Sequence, residues 1–115
     1  MVSRYIDNPL LIGNKKFDTR LYVLVTNYRP LKVWRCNKGF NRFCFEEYDN
    51  NNTDMYAHIT NVAYQKKSLK YNNIHGGKWS YANLQTYVEM NHGKAKLKKM
   101  LDEVDHIILT SLKSV

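Results

Sequence analysis

The chain has 115 residues, 43% of them apolar and 13% aromatic, enough for the core of one domain and too apolar for a disordered segment. No apolar run approaches the roughly 20 residues of a membrane span, no basic-then-apolar leader follows Met1, and Cys36 and Cys44 are too few for a disulfide framework. The cytosol is the expected compartment, and the net charge of +8 calls for an acidic partner: nucleic acid, anionic lipid, nucleotide phosphate or acidic polypeptide.

Residues 3–12 read as a short extended segment interrupted at Asn8-Pro9, because proline disfavours helix at the residue before it. Gly13-Asn14 is a turn signal and leads into a long strand, from Lys15 to about Tyr28. A period of two puts Lys16, Asp18 and Arg20 on one face of that strand, and Phe17, Thr19, Leu21, Val23 and Val25 on the other. Tyr22 and Leu24 make the polar face apolar again, which predicts burial on both faces beyond a charged mouth. A Lys/Asp/Arg row is either a solvated, self-paired ladder of little energetic worth or charge presented to a ligand. The pattern alone leaves both open.

Arg29-Pro30 predicts a turn into a second strand, from Leu31 to about Cys36, and Asn37-Lys38-Gly39 a tight connection to a third, from Phe40 to Phe45. These strands would form an antiparallel meander. Residues 49–54 are a polar surface loop. The pattern from Met55 to Gln65 is mixed, with His58-Ile59-Thr60-Asn61 at its centre, and Gln65 to Lys78 reads as an irregular loop. Ser80 suits the N-cap of a helix through Asn91, with Leu84, Tyr87 and Val88 on one face. His92-Gly93 ends it. A second helix from about Lys94 carries Leu97, Leu101, Val104, Ile108, Leu112 and Val115 at three- and four-residue steps, a stripe expected to be core. Lys94, Lys96, Lys98 and Lys99 do not keep to one face and read as a solvated helix start. The stripe still runs at Val115, so a piece of a larger protein is expected.

Residues that could carry chemistry are sparse. His58, His75, His92 and His106 never reach metal-ligand spacing with the cysteines. Gly76-Gly77-Lys78 resembles the end of a phosphate loop, but the earlier glycine is missing and Trp79 stands where a hydroxyl residue is needed. No nucleophile–base set is placed by local context. Tyr28-Arg29, Trp34-Arg35 and Phe40 to Phe43 interleave aromatic and basic residues, the look of a single-stranded nucleic-acid platform and equally of a half-buried sheet.

Several segments in order do carry a resemblance. Residues 3–12 (SRYIDNPLLI), Lys16-Phe17-Asp18-Thr19-Arg20, Gly39-Phe40-Asn41-Arg42-Phe43, His58-Ile59-Thr60-Asn61-Val62 and His75-Gly76-Gly77-Lys78-Trp79 resemble the tubulin–tyrosine-ligase-like family, nearest its type one polyglutamylase branch. The resemblance implies an α+β fold, with residues 1–115 the central fragment of an ATP-grasp domain, incomplete at both ends: an antiparallel meander followed by two helices. It implies an ATP-dependent ligase that adds glutamate to glutamate side chains of the acidic tubulin tail, through an acyl phosphate, with ATP and magnesium as cofactors.

Residue by residue, Ser3, Arg4, Tyr5 and Ile6 resemble the hinge strand whose backbone meets adenine; Ser3 stands where the family often has Gln. Lys16, Phe17 and Asp18 resemble the nucleotide-binding strand, Asp18 accepting from ribose hydroxyls. Arg20 and Arg42 match the arginines near the reacting carboxylate and γ-phosphate, where a planar guanidinium fits by paired hydrogen bonds. Arg42 and Lys78 would hold the incoming glutamate, and Thr60 and Asn61 would meet nucleotide. Magnesium ligands are expected outside this chain, since Asp102, Glu103 and Asp105 lie on the last helix, so the chain alone is expected to be inactive. Implied partners are tubulin tails, free glutamate and subunits of a polyglutamylase complex, with no nucleic acid or membrane, in the cytoplasm and cytoskeleton, including cilia or basal bodies. The alternative reading is a non-catalytic basic module that docks on acidic tubulin tails or on a complex partner.

Overall fold

The computed structural model describes residues 1–51, 53–67 and 77–115. Runs rich in β-branched and aromatic residues form two long strands, β1 (Phe17–Tyr28) and β2 (Leu31–Phe43), joined antiparallel through the cis Arg29-Pro30 turn. A short strand, β3 (Lys78–Ser80), pairs with the other edge of β2, so among the described residues the sheet order is β1-β2-β3. Between β2 and β3 lie a single 3-10 turn, Met55–Ala57, and a one-turn helix, α1 (Val62–Gln65). The helices α2 (Tyr81–His92) and α3 (Lys94–Lys113) follow, separated by Gly93 at φ 89°, a left-handed value that glycine adopts without strain. The class is α+β. No helix is long and apolar enough to cross a membrane.

The meander is not built as predicted. Asn37-Lys38-Gly39 does not turn the chain, and residues 31 to 43 run as one strand. Leu21 faces Gly39 while Val23 faces Arg35, so β2 spends two more residues than β1 over this interval and absorbs them as a bulge. Gly39 is needed there for closeness. A Cβ at that position would lie 2.5 Å from the Arg20 carbonyl oxygen and 2.8 Å from Leu21 Cδ2. A glycine that permits a turn and one that permits close approach look alike in sequence. The third strand comes instead from Lys78–Ser80, where the sequence reads as the end of a loop.

Burial on both faces of β1 is also corrected. Tyr22, Val23 and Leu24 are exposed, as are Tyr28 and Trp34. The cause is topological: among the described residues β3 reaches only Phe40 to Arg42, so the outer half of the β1–β2 hairpin is a two-stranded ribbon.

The chain divides into two compact units, Met1–Tyr81 and Ala82–Val115. In the first, Ile12, Cys44 and Ala57 are buried together with two polar side chains, Asn41 and Gln65. In the second, Leu84 and Val88 of α2 are buried, as their spacing predicts. The α3 stripe departs from expectation: Leu97, Leu101, Val104, Ile108 and Leu112 are only half-buried and Val115 is 91% exposed. Periodicity defines an apolar face without supplying a partner for it. The lysine-rich start of α3 is solvated, with Lys98 2.7 Å from Asp102 and Lys99 3.9 Å from Glu103, exposed pairs that contribute little.

Replacing Gly39 by alanine should push β1 and β2 apart at the bulge. The expected loss is about 1–3 kcal/mol in urea unfolding at neutral pH, and an unchanged midpoint would show that the close approach is dispensable.

Candidate functional site

Strand register assembles the charged residues. Asp18 faces Arg42 and Arg42 faces Lys78, so three ionisable side chains cross the sheet in one row, with Arg20, Phe40 and Ser80 in the next. Alternation puts Lys16 on the same face. The opposite face carries Phe17, Phe43 and Trp79, with ring centroids 5.3 Å apart for the first pair and 5.1 Å for the second. On that face Asn41 is fully buried. Its Oδ1 accepts from Thr19 Oγ1 at 2.7 Å and its Nδ2 donates to the Ser80 carbonyl at 3.1 Å. One face therefore holds the three strands in register while the other displays charge.

Within the row, Arg42 Nε donates to Asp18 Oδ1 at 2.8 Å and Arg42 Nη2 donates to Asp18 Oδ2, a two-pronged ion pair. Partial burial by itself raises the Asp18 pKa. Hydrogen bonds from Arg42 and Thr60, with the charges of Arg42 and Arg20, outweigh it, and the carboxyl lies below its ordinary 3.8. The same hydrogen bond raises the Arg42 pKa. Lys78 Nζ lies over the Phe40 ring, 5.2 Å from its centroid. Among the described residues no carboxylate is paired with Lys16, Arg20 or Lys78, so this face combines four cations with one carboxylate. Its charge is net positive.

The segment with Ser3, Arg4, Tyr5 and Ile6 forms no strand in the structure, and all four residues are exposed; no neighbouring strand among the described residues pairs with its backbone. The Tyr5 side chain nevertheless reaches the charged mouth. Lys16 Nζ donates to the Tyr5 hydroxyl at 3.0 Å and sits 4.5 Å from the centre of its ring. The hydroxyl lies 2.8 Å from His58 Nδ1.

Thr60 is brought to Asp18, whereas Asn61 is engaged locally: its Oδ1 accepts from the Ala63 amide at 2.9 Å and caps α1. Phe17 packs on the apolar face, away from the charged row. Lys78 is exposed beside Arg42, while His75 and Gly76 of the matched motif lie outside the described residues. The structure thus gathers Tyr5, Lys16, Asp18, Arg20, Arg42, Thr60 and Lys78 on or beside one face.

Sequence reasoning missed what positions that face. Gln65, read as the start of a loop, is buried. Its Oε1 accepts from the Phe45 amide at 3.0 Å, and its Nε2 donates to the carbonyls of Tyr56, at 3.0 Å, and Ile59. This clamp ties the exit of β2 to the segment that delivers Thr60. His58 was part of a matched motif yet had no assigned role. Cys44 is inert: burial raises its thiol pKa to about 11, with Lys16 lowering it and Asp18 raising it. A cavity of about 520 Å³, lined by Ile12, Phe43, Phe45, Gly77 and Trp79 among others, shares only Lys78 with the charged row and carries no comparable set of ionisable groups.

A depressed carboxyl pKa contributes stability that is fully present above the unfolded value and is lost as pH falls through the folded one. Asp18→Asn should therefore cost on the order of 1 kcal/mol at pH 7, with the gap from the native chain closing as pH falls below 3.8. Urea titrations at a series of pH values measure that gap. One of constant size across the acid range would exclude the ion pair as its source.

Comparison with known proteins bears on this geometry. The chain is 53% identical over 118 residues to a Tetrahymena thermophila protein named probable alpha-tubulin polyglutamylase Ttll1, covering all of this chain and 29% of that relative. It is 42% identical over 116 residues to the Caenorhabditis elegans probable tubulin polyglutamylase ttll-9, again covering all of this chain and 28% of the relative. With human tubulin polyglutamylase TTLL5 the identity is 39% over 120 residues, covering 96% of this chain and 9% of the relative. The chain spans under a third of the length of these relatives. The sequence pattern that defines the tubulin-tyrosine ligase family matches residues 1–115, and the chain belongs to that family.

Proposed function

We propose that this chain supplies the nucleotide- and glutamate-handling face of an ATP-dependent ligase that extends glutamate side chains in the tubulin tail, within an ATP-grasp domain. The observation that carries the reading is the Asp18–Arg42–Lys78 row, held in register from behind by Asn41, with Arg20 beside it and no carboxylate paired to Arg20 or Lys78 among the described residues. The relatives named as tubulin polyglutamylases supply the substrate class.

The residues present suit an anionic nucleotide. Lys16 offers a held ammonium, Arg20 an exposed guanidinium, and Thr60 a hydroxyl beside Asp18. Asp18 would meet ribose hydroxyls with whatever lone pairs the Arg42 fork and Thr60 leave open. ATP would supply the phosphoryl group that activates a tail carboxylate, with ADP as leaving group; the neutral glutamate amine would then attack the acyl carbon, losing a proton as phosphate departs. The chain's own contribution is placement and charge. Arg20 and Arg42 would face oxygens on which negative charge builds, and a guanidinium already in place would stabilise that charge without reorganisation. Arg42 and Lys78 stand opposite each other across two strands and would bind the carboxylate of incoming glutamate between them.

Magnesium does not fit these side chains. Both Asp18 oxygens are held by Arg42, and among the described residues no group of three or more His, Cys, Asp or Glu comes together. Metal ligands for such a reaction would have to come from outside the described residues, and the chain by itself would not complete the chemistry. The net charge of +8 is compatible with an acidic tail as partner, and the relatives' names point to tubulin as that partner.

Arg42→Glu and Lys78→Glu, made in the full protein that carries this chain, should each lower glutamate incorporation into microtubules by about 100-fold or more. Microtubule co-sedimentation should change little. Loss of co-sedimentation with both variants would favour a docking module over an enzyme, and full incorporation by either would sink the assigned roles.

A further inference from the structure

We propose that Tyr5 and His58 are positioning residues for Lys16, forming a relay that aims its ammonium at the anion entering the charged face. The inference rests on the reading of that face as a nucleotide site. A lysine side chain is long and flexible, and an exposed one samples many rotamers. Lys16 is held twice, by the hydrogen bond to the Tyr5 hydroxyl at 3.0 Å and by the Tyr5 ring, 4.5 Å from Nζ to centroid.

The first direction in the relay follows from chemistry alone. An ammonium has only protons to give, so the Tyr5 oxygen accepts from Lys16. In the proposed relay the phenolic proton goes to His58 Nδ1, 2.8 Å away, with the imidazole proton on Nε2; imidazole nitrogen NMR distinguishes this from the reverse order, Nδ1–H donating to the phenol oxygen. A second phenol, Tyr48, also meets the Tyr5 hydroxyl. Burial and that contact raise its pKa to about 12, so it stays protonated.

His58 has a fixed position from which to act. Its amide donates to the Met55 carbonyl at 3.2 Å, closing the 3-10 turn that Asp54 caps through the Tyr56 amide. Its ring packs edge-on against Tyr48, with centroids 5.2 Å apart. The next residue, Ile59, gives its carbonyl to buried Gln65. The one segment that delivers Thr60 to Asp18 therefore also delivers an acceptor to Tyr5. In this way the exposed N-terminal segment, which pairs with no strand among the described residues, is registered against the mouth of β1.

The test uses the full protein that carries this chain, with two readouts. Imidazole nitrogen NMR should show His58 with an unprotonated, hydrogen-bonded Nδ1, and Tyr5→Phe, which keeps the ring, should shift that signal. ATP affinity should fall about 3- to 10-fold in Tyr5→Phe and in His58→Ala, and the double variant should fall no further than either single one. His58→Asn should restore binding, because the asparagine Oδ1 can accept where Nδ1 did, whereas His58→Gln should not. Lys16→Met sets the ceiling of the effect. The proposal is overturned if Tyr5→Phe leaves the His58 signal unchanged, or if His58→Asn binds ATP no better than His58→Ala. Should Lys16→Met bind ATP as the native protein does while the imidazole signal behaves as described, the nucleotide reading itself fails, and the relay loses its ligand.

Discussion

The display of charge on this sheet depends on a buried amide on its other side. Asn41 sits in the middle of β2 and is fully buried, accepting from Thr19 on β1 and donating to the Ser80 carbonyl on β3. A buried amide left without partners would cost more than the bonds themselves contribute, so the register that satisfies Asn41 is strongly preferred over a slipped one. Slippage by one residue would send Asp18, Arg42 and Lys78 to the apolar face. The row that carries the proposed chemistry is thus specified from behind, together with the stacking of Phe17, Phe43 and Trp79.

A sheet face with four cations around one carboxylate is an unfavourable arrangement for a fold taken alone. Arg42 and Lys78 are like charges directly opposite each other. The Asp18–Arg42 fork offsets part of that repulsion, and the Phe40 ring beneath Lys78 offsets more. What remains is positive charge on a solvated face, where it costs little until an anion arrives. The proposed anion site would use that charge, and Lys98 and Lys99 of α3, each paired with a carboxylate one turn away, make the contrast.

The second organising element is the segment from Asp54 to Gln65. It has little regular structure, yet nearly every polar group in it has work: Asp54 caps the 3-10 turn, Asn61 caps α1, Thr60 reaches Asp18, His58 reaches Tyr5, and Gln65 anchors the whole to β2. A short irregular stretch can be held this firmly when its anchor is buried and fully hydrogen-bonded. That explains how exposed side chains from distant parts of the chain arrive at one mouth.

Much of this was legible in the residues themselves. The period of two around Lys16, Asp18 and Arg20, the turn at Arg29-Pro30, the break at His92-Gly93 and the apolar spacing of α2 and α3 are local signals, and local signals survive into the fold because they act through the backbone of their own segment. Motif order was enough for the family. Three things were decided only by tertiary structure. Whether Gly39 turned the chain or admitted a neighbouring strand depended on Arg20 and Leu21, some twenty positions away. Whether the stripe of α3 and the outer half of β1 were buried depended on what covers them, which periodicity does not encode. And the partnership of Asp18 with Arg42 rather than with Lys16 or Arg20 on its own strand followed from cross-strand register, since neighbours on one strand face stand about 7 Å apart while a partner directly opposite stands about 5 Å away.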